Sequence, residues 1–282
     1  MPPSLKPLRS AVLAPAQTLP EPEPAPAASA DTRMPGACRH IDYTATRVVS
    51  GTLERLQRTP GVVRPDRSEL AEAFKRLRSQ LLQRLHADGH TLLAVTSPRA
   101  MAGKSLTALN LALAVAAELD RTVLLVDADL SGQGLQTLLG LAGAPGLAEH
   151  LSQGVPLAEL LVNPGVPRFV FLPGGRIAGH GSAELLATRA MQGLAQELKQ
   201  RYADRIVIFD LPPLLDTADA LSLLPLADTT LLVVEEHGTA VTDVEAASSL
   251  LAPYNLVGSV LARKQPQAAP TRRRWWPWRR AR

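Results

Sequence analysis

Cysteine is nearly missing from this 282-residue chain: Cys38 is the only one. A lone cysteine excludes an internal disulfide and fits a reducing compartment. Aromatic residues make up only 4 %, so the core has to be built from Leu, Ala and Val. Tyrosine is scarcer still, at Tyr43, Tyr202 and Tyr254, with none after residue 254. No apolar run reaches the roughly 20 residues that a membrane-spanning helix needs. The nearest candidate, the stretch after Ser105, is too short and carries Asn110. Prolines interrupt every apolar run near the N-terminus, so no secretory leader is expected there. These absences together predict a cytoplasmic protein.

Charge is present but unevenly placed. Residues 271–282 carry six arginines and no acid, and subtracting them from the net +4 leaves the rest of the chain at −2. A mildly acidic body argues against a protein whose main business is with nucleic acid. Proline is concentrated at the other end, with nine of the 24 in residues 1–36. Residues 1–40 therefore read as a disordered tail that cannot bury a core. Residues 41–66 are ambiguous, with a short strand within Tyr43–Val49 and a helical turn at Leu53–Gln57 as the readings on offer. Residues 67–263 read as one α/β domain, and 264–282 as a basic tail.

What is there centres on residues 92–119. Thr91–Thr96 is an apolar run of strand length, Ser97–Gly103 is a loop, and a helix with apolar residues at helical spacing opens at Ser105. Gly103-Lys104-Ser105 sits at the junction. Strand, loop and helix in this order make a phosphate loop credible, because a helix N-terminus presents backbone N–H groups and a positive dipole end. Lys104 would add a mobile charge and Ser105 a hydroxyl for magnesium. The loop has one glycine only; Pro98 stands where the general motif has its first glycine, and any residue forced to positive φ there costs on the order of 1 kcal/mol.

Further along, Val123–Val126 and Ile206–Phe209 are continuous apolar runs, as buried parallel strands require. The first runs into Asp127 and Asp129, the second into Asp210. Ligands of open α/β sheets sit at the carboxyl ends of strands, so these acids are placed to hold magnesium or take a proton. Phe169–Leu172, Thr230–Val234 and Leu256–Leu261 are further strands. Helices are expected from Ser68 (or Asp66) through Leu85, over most of Glu184–Tyr202 and over Val241–Leu251, with short helical pieces in 131–165. Alternating strands and helices predict a mostly parallel sheet with right-handed crossovers.

Five segments stand out as motifs: EAFKRLRSQL at Glu72–Leu81, apolar-DADL at Val123–Leu130, APGLAEHLSQG at Ala144–Gly154, FLPGG through SAELL at Phe171–Leu186, and apolar-DLPP at Ile206–Pro213. In this order they resemble the bacterial tyrosine kinases of polysaccharide export, P-loop ATPases of the MinD/ParA-like superfamily. The resemblance covers roughly residues 68–263. It implies a P-loop NTPase fold, a three-layer αβα sandwich. It also implies Mg-ATP as cofactor, with Ala102, Gly103, Lys104, Ser105 and Leu106 holding the nucleotide and Ser105, Asp129 and Asp210 holding the metal. Asp127 becomes the base and Lys104 the phosphate-binding cation of a phosphoryl transfer to protein tyrosine. Glu72, Lys75 and Arg78 become the helix face that assembles a homo-oligomer. The implied partner is an inner-membrane chain-length determinant of exopolysaccharide or capsule synthesis.

This chain departs from the family pattern at several points. The loop reads AMAGKS rather than PGEGKS, Ser131 follows DADL where arginine is usual, Lys75 replaces an arginine, and Ala262 stands where an asparagine closes the last strand. The terminal tyrosine cluster is replaced by TRRRWWPWRRAR. Arg272, Arg273, Arg274, Arg279 and Arg280 interleaved with Trp275, Trp276 and Trp278 suit an anionic membrane surface. A peripheral location at the inner face of the plasma membrane is therefore expected. The same departures keep a second expectation open: a non-kinase nucleotide switch, or a scaffold that retains the fold without turnover, assembled with the same membrane partner.

Overall fold

A computed structural model describes residues 46–49, 51–64, 68–132, 134–177, 181–200 and 205–263. All of them belong to one unit of the chain, Cys38–Arg282. The expected N-terminal tail, Tyr43, the alternative cap Asp66 and the basic tail with its eight membrane-contact residues lie outside the described residues.

The centre is an eight-stranded sheet of β1 (Arg47–Val48), β2 (Leu92–Thr96), β3 (Thr122–Asp127), β4 (Val162–Asn163), β5 (Phe169–Leu172), β6 (Arg205–Asp210), β7 (Thr229–Glu235) and β8 (Leu256–Ala262). Their spatial order is β1-β4-β5-β3-β6-β2-β7-β8. β5, β3, β6, β2, β7 and β8 are mutually parallel. β4 pairs antiparallel with β5, and β1 pairs parallel with β4. The sheet is thus mostly parallel, as expected, with a reversed two-strand edge that the motif spacing did not announce.

Alternation along the strands sorts the core into two layers. Leu93, Val95, Val123, Leu125, Ile206 and Ile208 face one side and pack against Phe74, Leu81 and Leu85 of the Glu69–Ala87 helix and Leu109 and Ala112 of the Lys104–Ala116 helix. Leu92, Ala94, Leu124, Val126, Val207 and Phe209 face the other side and pack against Met191, Leu194 and Leu198 of the Arg189–Gln200 helix and Leu251 of the Val241–Leu251 helix. Each fully buried Leu or Val contributes about 1.5–3 kcal/mol, which explains why β2, β3 and β6 carry no polar residue between their first and last positions. The result is the expected three-layer sandwich.

Local departures are small and explicable. The helix after the loop begins one residue early, at Lys104, because Gly103 adopts φ 86° and completes the turn. The region Glu184–Tyr202 is broken between Leu186 and Arg189. There Thr188 turns its hydroxyl to Leu185 O (2.8 Å) and caps the second helix through Met191 N (3.2 Å). Ser68 caps the Glu69–Ala87 helix by accepting from Ala71 N. A helix at Asp219–Leu223 was not expected, since its five residues hold too few apolar positions to show a period. Ahead of the sheet, Thr59–Val63 is pinned to the centre of the Lys104–Ala116 helix. Buried Asn110 donates to Gly61 O (2.7 Å) and accepts from Val63 N (2.8 Å).

Candidate active site

The adjacent strands β3 and β6 end level with one another, with Asp127 opposite Asp210 in register. The phosphate loop leaves β2, the other neighbour of β6, at the same end. Parallel pairing alone therefore brings Lys104, Asp127, Asp129 and Asp210 together, although Lys104 and Asp210 are 106 residues apart in sequence.

Lys104 is the hub. It is 7 % exposed, and Nζ donates to Asp129 Oδ2 at 2.6 Å, to Ser105 Oγ at 3.3 Å and to Asp210 Oδ1 at 3.4 Å. Burial alone would lower its pKa, but the charges of Asp210 and Asp129 outweigh that and raise it. Asp127 and Asp210 are each 1 % exposed. Burial, reinforced by Asp210, pushes the Asp127 carboxyl well above the usual carboxylate range in spite of Lys104. Burial also raises Asp210, with Lys104 opposing. One oxygen of each, Asp127 Oδ2 and Asp210 Oδ2, is buried without a hydrogen bond. Three carboxylates face one ammonium, so the cluster carries surplus acceptor capacity and, with all groups ionised, surplus negative charge. An all-oxygen set of Ser105, Asp129 and Asp210 suits a hard cation such as magnesium, which is held through few protein ligands plus phosphate. No set of three or more His, Cys, Asp or Glu side chains poised for a metal occurs among the described residues.

The expected nucleotide-binding residues form the loop and the first turn of the Lys104–Ala116 helix, whose leading N–H groups have no intrahelical acceptors. Ala102 is buried, and the side chain of Leu106 turns away toward Gly61, where an added Cβ would meet it at 2.9 Å. Met101 takes the strained conformation anticipated for a glycine-poor loop, at φ 65°, and is 79 % exposed. Ala262, at the end of β8, lies beside the loop at Gly103. Ser131 donates to Asp129 Oδ1 (2.8 Å), so it orients the acid that Lys104 grips.

Two further segments close in on the acids. Leu147 N and Ala148 N donate to Pro173 O (2.8 Å) and Gly174 O (2.9 Å), locking Ala144–Gly154 onto the FLPGG turn. A Cβ at Gly146 would stand 1.9 Å from Pro173 O, so only glycine fits there. Gly174 in turn borders Asp127, its added Cβ falling 3.5 Å from the Asp127 carboxyl carbon.

Residues outside the expected set hold the loop in place. Arg99 forms a two-pronged pair with Asp243 (3.1 and 3.2 Å) and reaches Asp216 at 2.9 Å, while Asp216 also accepts from Ala100 N at 2.8 Å. Leu214 N and Leu215 N donate to Ser97 O and Pro98 O. These partners lie 116 to 144 residues from Arg99 and Ala100, so no local spacing could reveal them.

The three residues expected at an assembly face part company. Glu72 and Lys75 pair with each other at 2.7 Å on the surface. Arg78 is half-buried. It donates to Ala114 O (3.1 Å) and pairs with Glu118 (3.0 Å), spanning to the end of the neighbouring helix.

No protein-family model matches the chain. The tyrosine-protein kinase YwqD of Bacillus subtilis is 34 % identical over 173 residues, covering 61 % of this chain and 71 % of that relative. The chain belongs to the bacterial tyrosine kinase family. The succinoglycan biosynthesis transport protein ExoP of Rhizobium meliloti is also 34 % identical, over 184 residues, which are 64 % of this chain and 23 % of ExoP. The chain thus spans about a quarter or less of the length of the longer curated relatives it matches. The kinase domain of the Escherichia coli tyrosine kinase ETK superposes with TM-score 0.65 at 26 % identity, over 80 % of this chain and 92 % of that domain. Among the described residues of this bacterial tyrosine kinase homologue, no helix is long and apolar enough to cross a membrane.

Proposed function

We propose that the chain transfers the terminal phosphoryl group of Mg-ATP to protein tyrosine within a polysaccharide-export system. One observation carries the reading. A buried lysine at the end of the phosphate loop bridges Asp129 and Asp210, with one unpaired oxygen of Asp127 beside them, in a chain related to tyrosine-protein kinases. Phosphoryl transfer asks mainly for positioning and for neutralisation of charge. The N–H groups of Ala102 through Leu106 hold phosphate oxygens, and Lys104 exchanges its carboxylate partners for them. Ser105, Asp129 and Asp210 would hold magnesium, which when bound offsets the charge on the transferred group. Asp127 accepts the phenol proton; a carboxyl raised by burial sits closer to the working pH than an ordinary one, as a general base requires.

The remaining expectations rest on the same relationship. ExoP is named for succinoglycan transport, and by analogy the partner here is an inner-membrane chain-length determinant. Glu72 and Lys75 are free to trade their mutual pair for contacts with a second copy. The Arg/Trp tail from Arg272 to Arg280 binds anionic lipid.

The reading is tested by incubating the full chain with labelled ATP, magnesium and a tyrosine-containing peptide. Wild type labels tyrosine, and Lys104→Met loses about 10²–10³-fold in rate, the usual cost of removing a preorganised electrostatic group. Nucleotide binding with no phosphotyrosine on any substrate would overturn the kinase reading in favour of an ATP-dependent switch.

A further inference from the structure

Both carboxyl oxygens of Asp129 are engaged. Oδ2 accepts from Lys104 Nζ at 2.6 Å, and Oδ1 accepts from Ser131 Oγ at 2.8 Å. The turn behind the carboxylate is closed as well. Gly132 N donates to Asp129 O at 3.0 Å, and a Cβ on Gly132 would stand 3.4 Å from the Asp129 carboxyl group. The side chains of Lys104 and Asp129 are only 9 % and 15 % exposed, so water screens the pair weakly. The same ammonium reaches Asp210 Oδ1 and Ser105 Oγ. Lys104 therefore touches Ser105, Asp129 and Asp210, the three residues whose oxygens suit magnesium. One cation is already seated among the ligands of another, and it is tethered to the first turn of its own helix.

We propose that Lys104 is a lock on the metal site: it keeps magnesium off Asp129 and Asp210 until phosphate oxygens in the loop draw the ammonium away. The inference rests on the nucleotide site of the reading above and adds the order in which its ligands enter.

The competition between the two cations is unequal. Magnesium must shed bound water to reach a carboxylate and does so reluctantly. The ammonium is held in place by the backbone, which gives it a high effective concentration at the site. An ammonium and a dication on one carboxylate oxygen repel each other, and strongly where water is excluded. Phosphate reverses the balance. An oxyanion on the leading N–H groups of the Lys104–Ala116 helix lies beside the residue that carries the ammonium, and lysine binds phosphate as a point charge. Once Nζ turns to it, Asp129 Oδ2 and Asp210 Oδ1 are released, while Ser131 still orients Asp129 through Oδ1. Ser131 is thus a positioning residue. Metal and nucleotide are then coupled, each raising the affinity of the site for the other by the same factor.

The test uses the full chain and Mn2+, a paramagnetic substitute for magnesium, titrated without nucleotide and followed by electron paramagnetic resonance. Lys104→Met, left with three carboxyl groups and no cation, is expected to bind Mn2+ at least about tenfold more tightly than wild type. Sulfate gives a second measurement on the unaltered chain. As an oxyanion that engages the loop and chelates metal weakly, it should raise the Mn2+ affinity of wild type above that in chloride at equal ionic strength. Wild type that binds Mn2+ alone as tightly as Lys104→Met overturns the inference. If circular dichroism shows that Lys104→Met has not folded, failure of sulfate to raise the wild-type affinity overturns it instead. None of these titrations contains ATP or tyrosine, so a chain that behaves as expected here and labels no tyrosine refutes the kinase reading alone.

Discussion

The two halves of the site are built by different means. The acids stand on β3 and β6, where register fixes Asp127 against Asp210 and burial perturbs both carboxyl groups. The phosphate loop lies at the surface, carries a strained Met101, and is tied down from outside by Arg99, Asp216 and Asp243. In the first region the sheet supplies the geometry and the side chains bear an electrostatic strain. In the second the backbone bears the strain and solvent-facing ion pairs supply the geometry. The perturbed carboxyl groups sit where water is excluded, and the ion pairs of the loop sit where contacts are cheap to rearrange.

Breaking the first half should have the larger effect. Asp127→Asn is expected to lower the transfer rate by about 10²–10⁴-fold, the range for a lost general base. It should at the same time stabilise the nucleotide-free fold at neutral pH. The sign follows from the raised pKa. As pH climbs past the unfolded carboxyl value of about 3.9, the unfolded chain releases a proton that the folded chain retains, so stability falls until the folded group also ionises. Denaturant unfolding at a series of pH values between 4 and 8 should show that decline in wild type and a smaller one in Asp127→Asn. An identical slope in the two would mean that Asp127 is not the strained group.

The outer half should yield less. Arg99→Ala removes pairs that face solvent, so nucleotide affinity measured by calorimetry should weaken only several-fold, more at low salt than at high. Asp127→Asn should leave that affinity nearly unchanged; if it falls further than in Arg99→Ala, the division of labour between loop and acids is wrong. The smallest effect is expected at Met101→Gly. Relief of the positive φ is worth about 1 kcal/mol, read as a higher melting temperature with nucleotide binding retained.

The same contrast explains what could be read from sequence. Asp127 and Asp210 were legible because a buried parallel strand writes itself as an apolar run, and the first acid after the run must lie at the strand end. Lys104 and Ser105 were legible from the strand-loop-helix context. Arg99, Asp216 and Asp243 carried no signal, since their pairing depends on which loops the crossovers bring together. The inward pairing of Arg78 carried no signal for a related reason: it depends on the next helix ending within reach of the guanidinium. The reversed edge of β1 and β4 was missed because two-residue strands are too short to display alternation.

Asn110 gives the molecule a mechanical property as well. Its two hydrogen bonds fasten Gly61 and Val63 to the middle of the helix whose first residue is Lys104. Any shift of the Thr59–Val63 segment is therefore delivered to that helix, at a point nearly two turns behind the lysine. Whatever displaces that segment moves the mounting of Lys104 directly, whereas β1, which precedes it in the chain, is tied instead through β4 and β5 to β3 and its Asp127.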